Sequence, residues 1–326
     1  MSVNNIPSVY QAMAVTQFGE PEVLQSITRQ MPVLNVGEVL IKLLATSVNP
    51  IDYKTRAGLG WAAAQNKDNL PFVLGYDCFG EVVDKNGVDD NIDRGDKIVA
   101  LLGFPLSAGA YGEYAVVNVR DVVKLNDNTC NEIAALPIAG LTAYQGLFDF
   151  GQLVAGQTVV ISGAAGAVGY LAVQLALNAG ANVIAIAASK DHHLLEPLGT
   201  ITLLDYNDLA SFNTIGEVDL WFDLIGGEQA CQQLEQVASI KRLVTVPTIT
   251  AAVVCDSVAS KGTAAQGMLI VPDIKMLTKL AMMVEKQQLK LNISKYININ
   301  DAATAHQAIE AGDLKGKVVL TFDMSL

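Results

Sequence analysis

Ser162-Gly163-Ala164-Ala165-Gly166-Ala167-Val168-Gly169 joins two stretches of different character. Before it, Thr158–Ser162 is short and apolar, like a buried strand. After it, residues 168–179 carry helical spacing, and Gly180 stands where a C-cap glycine belongs. A second strand is expected over Asn182–Ala187. Strand, glycine turn, helix and strand form the context in which a glycine pattern becomes a nucleotide site. Small residues let the backbone approach a pyrophosphate, and the free N–H groups at the helix start face its negative charge. The spacing is G-x-x-G-x-x-G rather than G-x-G-x-x-G, so the context carries the reading. Dinucleotide contacts are expected at Gly163, Ala164, Gly166, Ala167, Val168 and Gly169. The alternative is a tight turn that serves packing alone.

Moving outward, further strands are expected over Val218–Asp223 and residues 242–246. Alternating strands and helices predict an α/β fold, a Rossmann-type doubly wound parallel sheet with right-handed crossovers. Toward the N-terminus the texture differs. Residues 39–44, Lys97–Leu101 and 110–117 are short β-rich runs divided by Gly, Pro and Asp, which predicts a folded β module. Residues 132–150 are Ala/Leu-rich and helix-like, interrupted by Pro137 and Gly140. A strand around 266–271, a helix over 273–286 and a terminal run, Gly316-Lys317-Val318-Val319-Leu320-Thr321-Phe322, complete the chain. That last strand has no local partner, so it is expected to return to the first β module. The domain boundaries read as 1–126, 127–271 and 272–326.

The end of the second strand bears on the cofactor. NAD-preferring folds place Asp or Glu about 20 residues past the glycine turn, on the ribose 2′-OH. Here the strand runs into Ala187-Ala188-Ser189-Lys190, a hydroxyl and an ammonium, which suits a 2′-phosphate and hence NADPH. Asp191 falls at the start of the following helix, where a first-turn acid is ordinary. A solvated surface lysine is the alternative reading of Lys190.

Composition narrows the function classes. The 326 residues suggest two domains, and 51% hydrophobic residues are ample for their cores. A net charge of −12, with no dense basic cluster, disfavours nucleic acid and anionic lipid partners. No run approaches the ~20 apolar residues of a membrane span, and residues 1–11 lack signal-peptide character, so a cytoplasmic protein is expected. Cys78, Cys130, Cys231 and Cys255 show no CxxC pairing, and three scattered histidines suggest no metal site.

Several blocks together resemble one family. They are Ser47-Val48-Asn49-Pro50-Ile51-Asp52-Tyr53-Lys54, Leu74-Gly75-Tyr76-Asp77-Cys78-Phe79-Gly80-Glu81-Val82, and Ala134-Ala135-Leu136-Pro137-Ile138-Ala139-Gly140-Leu141-Thr142-Ala143-Tyr144. With the glycine turn and the terminal Gly316-Lys317-Val318-Val319-Leu320, they resemble the medium-chain dehydrogenase/reductase superfamily. The nearest likeness is to its zinc-free quinone oxidoreductase and enone–alkenal reductase branch, the zeta-crystallin-like proteins. The resemblance implies a chaperonin-10-like (GroES-like) β-barrel catalytic domain built from both chain ends, a Rossmann domain inserted between them, and an active site where they meet. It also implies a homodimer paired through the outer edge of the Rossmann sheet, for which residues 264–271 suit an edge strand.

Departures from the zinc-dependent relatives are informative. Those relatives place Cys at Asn49 and Gly-His-Glu at Gly75-Tyr76-Asp77, and carry a four-cysteine lobe that is absent here. An alkoxide mechanism loses its Lewis acid. Hydride addition to a conjugated acceptor suits the remainder, because an enolate or quinol anion is already delocalised and hydrogen-bond donors suffice. The resemblance implies an NADPH-dependent reductase of a small quinone, enone or alkenal, with Asn49, Tyr53 and Lys54 as candidate donors. Asn49 would lie beside the nicotinamide, as would Lys54. Tyr53 as packing, and Lys54 paired with Asp52 or solvent, are the structural alternatives. Thr142 would line the nicotinamide pocket, Tyr206 would help to hold the 2′-phosphate, and His306 would be structural. A low-turnover NADPH-binding redox sensor or structural protein is the other function class that fits.

Overall fold

The structure is a computed structural model that describes residues 6–87, 91–106, 108–312 and 314–322. Its contacts divide the chain into two units, Met1–Ile138 with Pro272–Leu326, and Ala139–Val271. The first boundary thus falls at Ile138 instead of 126. The 3-10 turn Asn131–Ala135 packs on the strands Glu38–Ser47, Asp77–Lys85 and Lys317–Thr321 and buries Ile133, Ala134 and Ala135 there. Apolar contact, not the change in sequence texture, assigns this segment.

In the second unit six parallel strands run in the order Thr202–Asp205, Asn182–Ala187, Thr158–Ser162, Val218–Asp223, Ile240–Thr245, Ala264–Gly267. Thr158–Ser162 is central, and the chain winds away from it first to one side and then to the other, the doubly wound order expected. Its Val159, Val160 and Ile161 are fully buried, as a strand covered on both faces requires. The helix Ala167–Asn178 follows it and packs on this strand and its neighbour Asn182–Ala187. Val160, Ile186, Trp221, Leu234 and Leu243 belong to one core of this unit.

Two local expectations change. The edge strand stops at Gly267 instead of reaching 271, because its partner ends at Thr245 and the register pairs Thr245 with Gly267. Past that point Met268 and Ile270 are buried while Leu269 and Val271 are exposed. The helix-like stretch 132–150 resolves into the 3-10 turn, the α-helix Pro137–Tyr144 and a π-helical segment, Gln145–Phe150.

The first unit holds a three-stranded sheet around Val9–Val15 and a seven-stranded one. In the larger sheet, Lys317–Thr321 lies between Ile293–Asn298 and Glu38–Ser47. The terminal strand therefore does return to the N-terminal β module. It pairs antiparallel, with Val319 opposite Ser47 and Leu320 opposite Thr46. Val318, Val319 and Leu320 are fully buried, which makes this long-range pairing favourable. No helix among the described residues is long and apolar enough to cross a membrane.

Candidate active site

In the first unit the register of the returning strand carries Lys317 to the end of Glu38–Ser47, where the chain turns into the helix Pro50–Arg56. Asn49 is the N-cap and Pro50 takes the first helical position, where a missing N–H costs nothing. The Asn49 N–H donates to Asp52 Oδ2 at 2.8 Å, and the Gly75 N–H donates to Asp52 Oδ1 at 3.1 Å. Gly75 has φ +89°, and a Cβ there would lie 2.4 Å from the Tyr111 ring, so only glycine lets this loop close on the helix start.

Asp77 is fully buried and its carboxylate is saturated. Oδ2 accepts from the Ser47 hydroxyl, from Asn49 Nδ2 at 2.8 Å and from Lys317 Nζ at 3.0 Å; Oδ1 accepts from the Ile138 N–H at 2.8 Å. Lys317 also donates to Ser47 Oγ at 2.8 Å and to Asn49 Oδ1. The Asn49 amide is therefore engaged at both ends within this cluster. Among the described residues, Asp52 has no such cation in contact. Burial pushes its carboxyl up to about 7, with the Asp77 charge adding to the push against its amide donors and Lys317.

Tyr53 and Lys54 follow on the same helix, both half-buried. The Tyr53 ring meets His306 edge-on, with centroids 6.5 Å apart, and burial raises its phenol. Burial lowers the Lys54 ammonium, and Asp52 turns to Asn49 and Gly75 instead of to Lys54. His306 is fully buried with Nε2 2.9 Å from Tyr111 Oη; burial, then the Arg56 charge, holds its imidazole down at about 3. A neutral ring hydrogen-bonded to Tyr111 is a core histidine, as expected.

In the second unit the glycine turn has the shape its sequence promised. Gly163 adopts φ +68°, and a Cβ on Gly169 would sit 2.3 Å from Gly163 O and 2.6 Å from Ala164 Cα. The Gly166 N–H donates to Gly163 O at 3.0 Å, and the first full helical bond runs from Tyr170 N–H to Gly166 O at 2.8 Å. The amides of Ala167, Val168 and Gly169 precede it and have no intrahelical carbonyl to bond. Sequence reasoning missed Asp223, fully buried at the end of the adjacent strand. It accepts from Ser162 Oγ at 2.9 Å, from Thr245 Oγ1 at 2.6 Å and from the Gly226 N–H at 3.1 Å, and so pins three strand ends beside the turn. The signal available was an acid closing an apolar strand just before Gly226-Gly227.

Ser189 and Lys190 are exposed at the end of Asn182–Ala187. The sequence shows no carboxylate there, but the fold supplies one from the neighbouring strand, because the register sets Ala187 opposite Asp205. Asp205 Oδ2 accepts from the Ser189 N–H at 2.8 Å and from its hydroxyl. These bonds and those from Asn207 hold the Asp205 carboxyl down at about 2. Tyr206 is exposed next to it, its N–H directed to Ala187 O at 3.4 Å. Thr142 is buried in Pro137–Tyr144, just before the π-helical segment. Gly163–Gly169, Ser189, Lys190 and Tyr206 thus gather at the carboxyl ends of adjacent strands, where doubly wound sheets bind ligands.

Residues 35–127 match the alcohol dehydrogenase GroES-like domain, and residues 198–320 match the zinc-binding dehydrogenase domain. The solved quinone oxidoreductase from Coxiella burnetii is 35% identical, with a TM-score of 0.90, over 97% of this chain and 100% of that one. The chain belongs to the medium-chain dehydrogenase/reductase superfamily, in its quinone and enone oxidoreductase branch. It is also 32% identical over 246 residues to the 2-methylene-furan-3-one reductase of Solanum lycopersicum, covering 72% of this chain and 62% of that protein. The NADPH-dependent alkenal/one oxidoreductase of Arabidopsis thaliana is 31% identical over 231 residues, 68% of this chain and 59% of that protein. The matches thus span less than two thirds of either plant reductase.

Membership of this superfamily raises two groups to test against the residues present. The glycine cradle, which a Cβ would fill, and the open amides of the helix start fit the pyrophosphate of a nicotinamide dinucleotide. Zinc does not fit. At the ligand positions of the zinc-dependent members stand an amide and a phenol, and the Tyr76 hydroxyl donates to Pro105 O at 2.9 Å. Lys317 brings an ammonium into contact with Asn49 and Asp77, where a metal would need their lone pairs.

Proposed function

We propose that this protein is an NADPH-dependent reductase of a small quinone, enone or alkenal that works without a metal. The observation that carries the reading is the Asn49–Asp77–Lys317 cluster, which fills the metal position of a dinucleotide-binding dehydrogenase with organic groups. Such a site lacks the Lewis acid an alkoxide needs, whereas a delocalised enolate or quinol anion is stabilised by hydrogen-bond donors. Bound dihydronicotinamide supplies the hydride. Lys54 donates to the oxygen that gains charge, and its lowered pKa suits it to give up a proton. Tyr53 is the second donor, and Asn49, its amide turned into the cluster, supports the helix from beneath. The unit Met1–Ile138 with Pro272–Leu326 makes up the catalytic domain and Ala139–Val271 the NADPH domain, with Thr142 at the nicotinamide pocket.

NADPH preference rests on Lys190 as the cation for the 2′-phosphate, with Ser189 and Tyr206 as neutral donors. Asp205 holds Ser189 in place. A charge-assisted bond of this kind contributes about 1.5–3 kcal/mol, or roughly 10- to 150-fold in affinity. Lys190→Ala should weaken NADPH by that factor and leave NADH nearly unchanged, as read by titrating nicotinamide fluorescence. Equal losses for both would make Lys190 structural, and NADH preferred by the unmutated protein would overturn the assignment. The cysteines are unpaired and Cys130 is exposed, which supports a reducing compartment such as the cytoplasm. Turnover is tested by NADPH oxidation against a panel of quinones, enones and alkenals, with saturated aldehydes as controls. Reduction of the saturated aldehydes alone would sink the reading. NADPH binding without turnover would leave the sensor alternative.

A further inference from the structure

Lys317 stands within hydrogen-bond reach of Ser47, Asn49 and Asp77, contributed by the end of one strand, a helix cap and the start of another strand. Its side chain is 6% exposed and that of Asp77 is 0% exposed. An apolar pair of similar volume commonly supports a fold as well as a buried ion pair does, so net stability alone does not account for this one. What the charges provide is direction. The carboxyamide of Asn49 has a donor end and an acceptor end, and Asp77 against Nδ2 with Lys317 against Oδ1 permits one orientation only. The cap continues from there: the Asn49 N–H holds Asp52, and Asp52 holds Gly75. The helix Pro50–Arg56 has only seven residues, so its cap has a large share in setting its axis. Lys54 is five positions in, and a small tilt at the cap displaces its ammonium.

We infer that Lys317 is the positioning residue of this site: its buried ammonium fixes the Asn49 cap and thereby the helix that presents Lys54. The inference takes the chemical role of Lys54 from the reductase reading, but its geometry stands on Lys317 and the cap alone. A misplacement near 1 Å at a reacting group lowers a rate by about 100-fold, which sets the size of effect to look for.

Three full-length variants test it: Lys317→Met, Lys317→Arg, and Lys317→Met combined with Asp77→Asn. The double variant removes both charges of the buried pair together, so it keeps the test alive if the single Met variant does not fold. Hydrogen exchange of amides 51–57 in protein without ligand gives a readout independent of turnover; steady-state kinetics with an enone gives the second. Protection at 51–57 should fall about 10-fold or more in the Met variants while the rest of the first unit is unchanged. Their kcat should fall by about 10- to 100-fold with KM altered less than about 3-fold. The double variant should regain the melting temperature but neither protection nor kcat, and Arg should restore part of both. Wild-type protection and kcat in the double variant would overturn the inference and leave Lys317 a charge-balancing residue. If the unmutated protein turns over no acceptor, the reductase reading fails, and the exchange data still judge Lys317.

Discussion

Lys54 and Asp52 are two positions apart on one short helix, and burial acts on them in opposite directions. For Lys54 it favours loss of the proton, so the charged form persists over a narrower range than in a free lysine. Lys54→Met should lower kcat by roughly 10- to 1000-fold while NADPH still binds, and the wild-type rate should decline at alkaline pH as the ammonium is lost. An unchanged kcat would move the donor role to Tyr53. Burial makes Asp52 hold its proton, raising its carboxyl from 3.8 to about 7 in the folded chain. The unfolded chain releases that proton first, so stability should fall as pH rises from about 4 to about 7 and then level off. The full shift corresponds to roughly 4 kcal/mol as an upper figure. Urea unfolding across this range should show the slope, and Asp52→Asn should flatten it. A slope that survives in the variant would assign it to other groups.

The element proposed to bind the dinucleotide is first a packing solution. Its helix start is pressed so closely on the turn that a methyl group at Gly169 would meet the Gly163 carbonyl oxygen at 2.3 Å, a backbone atom that cannot rotate away. Gly169→Ala should therefore destabilise by about 1–3 kcal/mol and weaken NADPH, because relief of the clash moves the amides that face the pyrophosphate. Gly216 has open space around its Cβ position and an ordinary φ, so Gly216→Ala is the matched control and should change neither. Urea midpoints and fluorescence titration of both variants check this. Full NADPH affinity in Gly169→Ala would mean that the turn tolerates opening and binds in another geometry.

The whole molecule raises the question of assembly. Among the described residues, Ala264–Gly267 is the last strand of its sheet and pairs on one side only, and the exposed Leu269 and Val271 follow it. An open edge beside exposed apolar side chains favours pairing with a second copy. Light scattering should give a dimer for the wild type, and Leu269→Asp with Val271→Asp should shift it toward monomer without loss of melting cooperativity. A monomer at every concentration would refute the pairing.

What was legible in the sequence was local or topologically forced. The spacing of small residues from Gly163 to Gly169 is backbone chemistry read along one segment. The apolar run 318–320, with no neighbour to pair, had to return to the distant β module. Substitution of Asn49 and Tyr76 at metal-ligand positions was equally plain, since neither side chain is a usual zinc ligand. Only the tertiary structure decided how these residues are used. Asn49 looked like a free donor until Asp77 took its Nδ2 and Lys317, 268 residues away, was brought against its oxygen. Ser189 stood without a carboxylate until strand register set Asp205 beside it, and the Tyr53 ring found His306 through helix packing. The edge strand lost its last residues because its partner ended at Thr245. Periodicity and turn chemistry are carried by neighbours along the chain. The partner of a polar side chain is set by register and packing between segments, and those follow from burying the apolar faces of the whole fold.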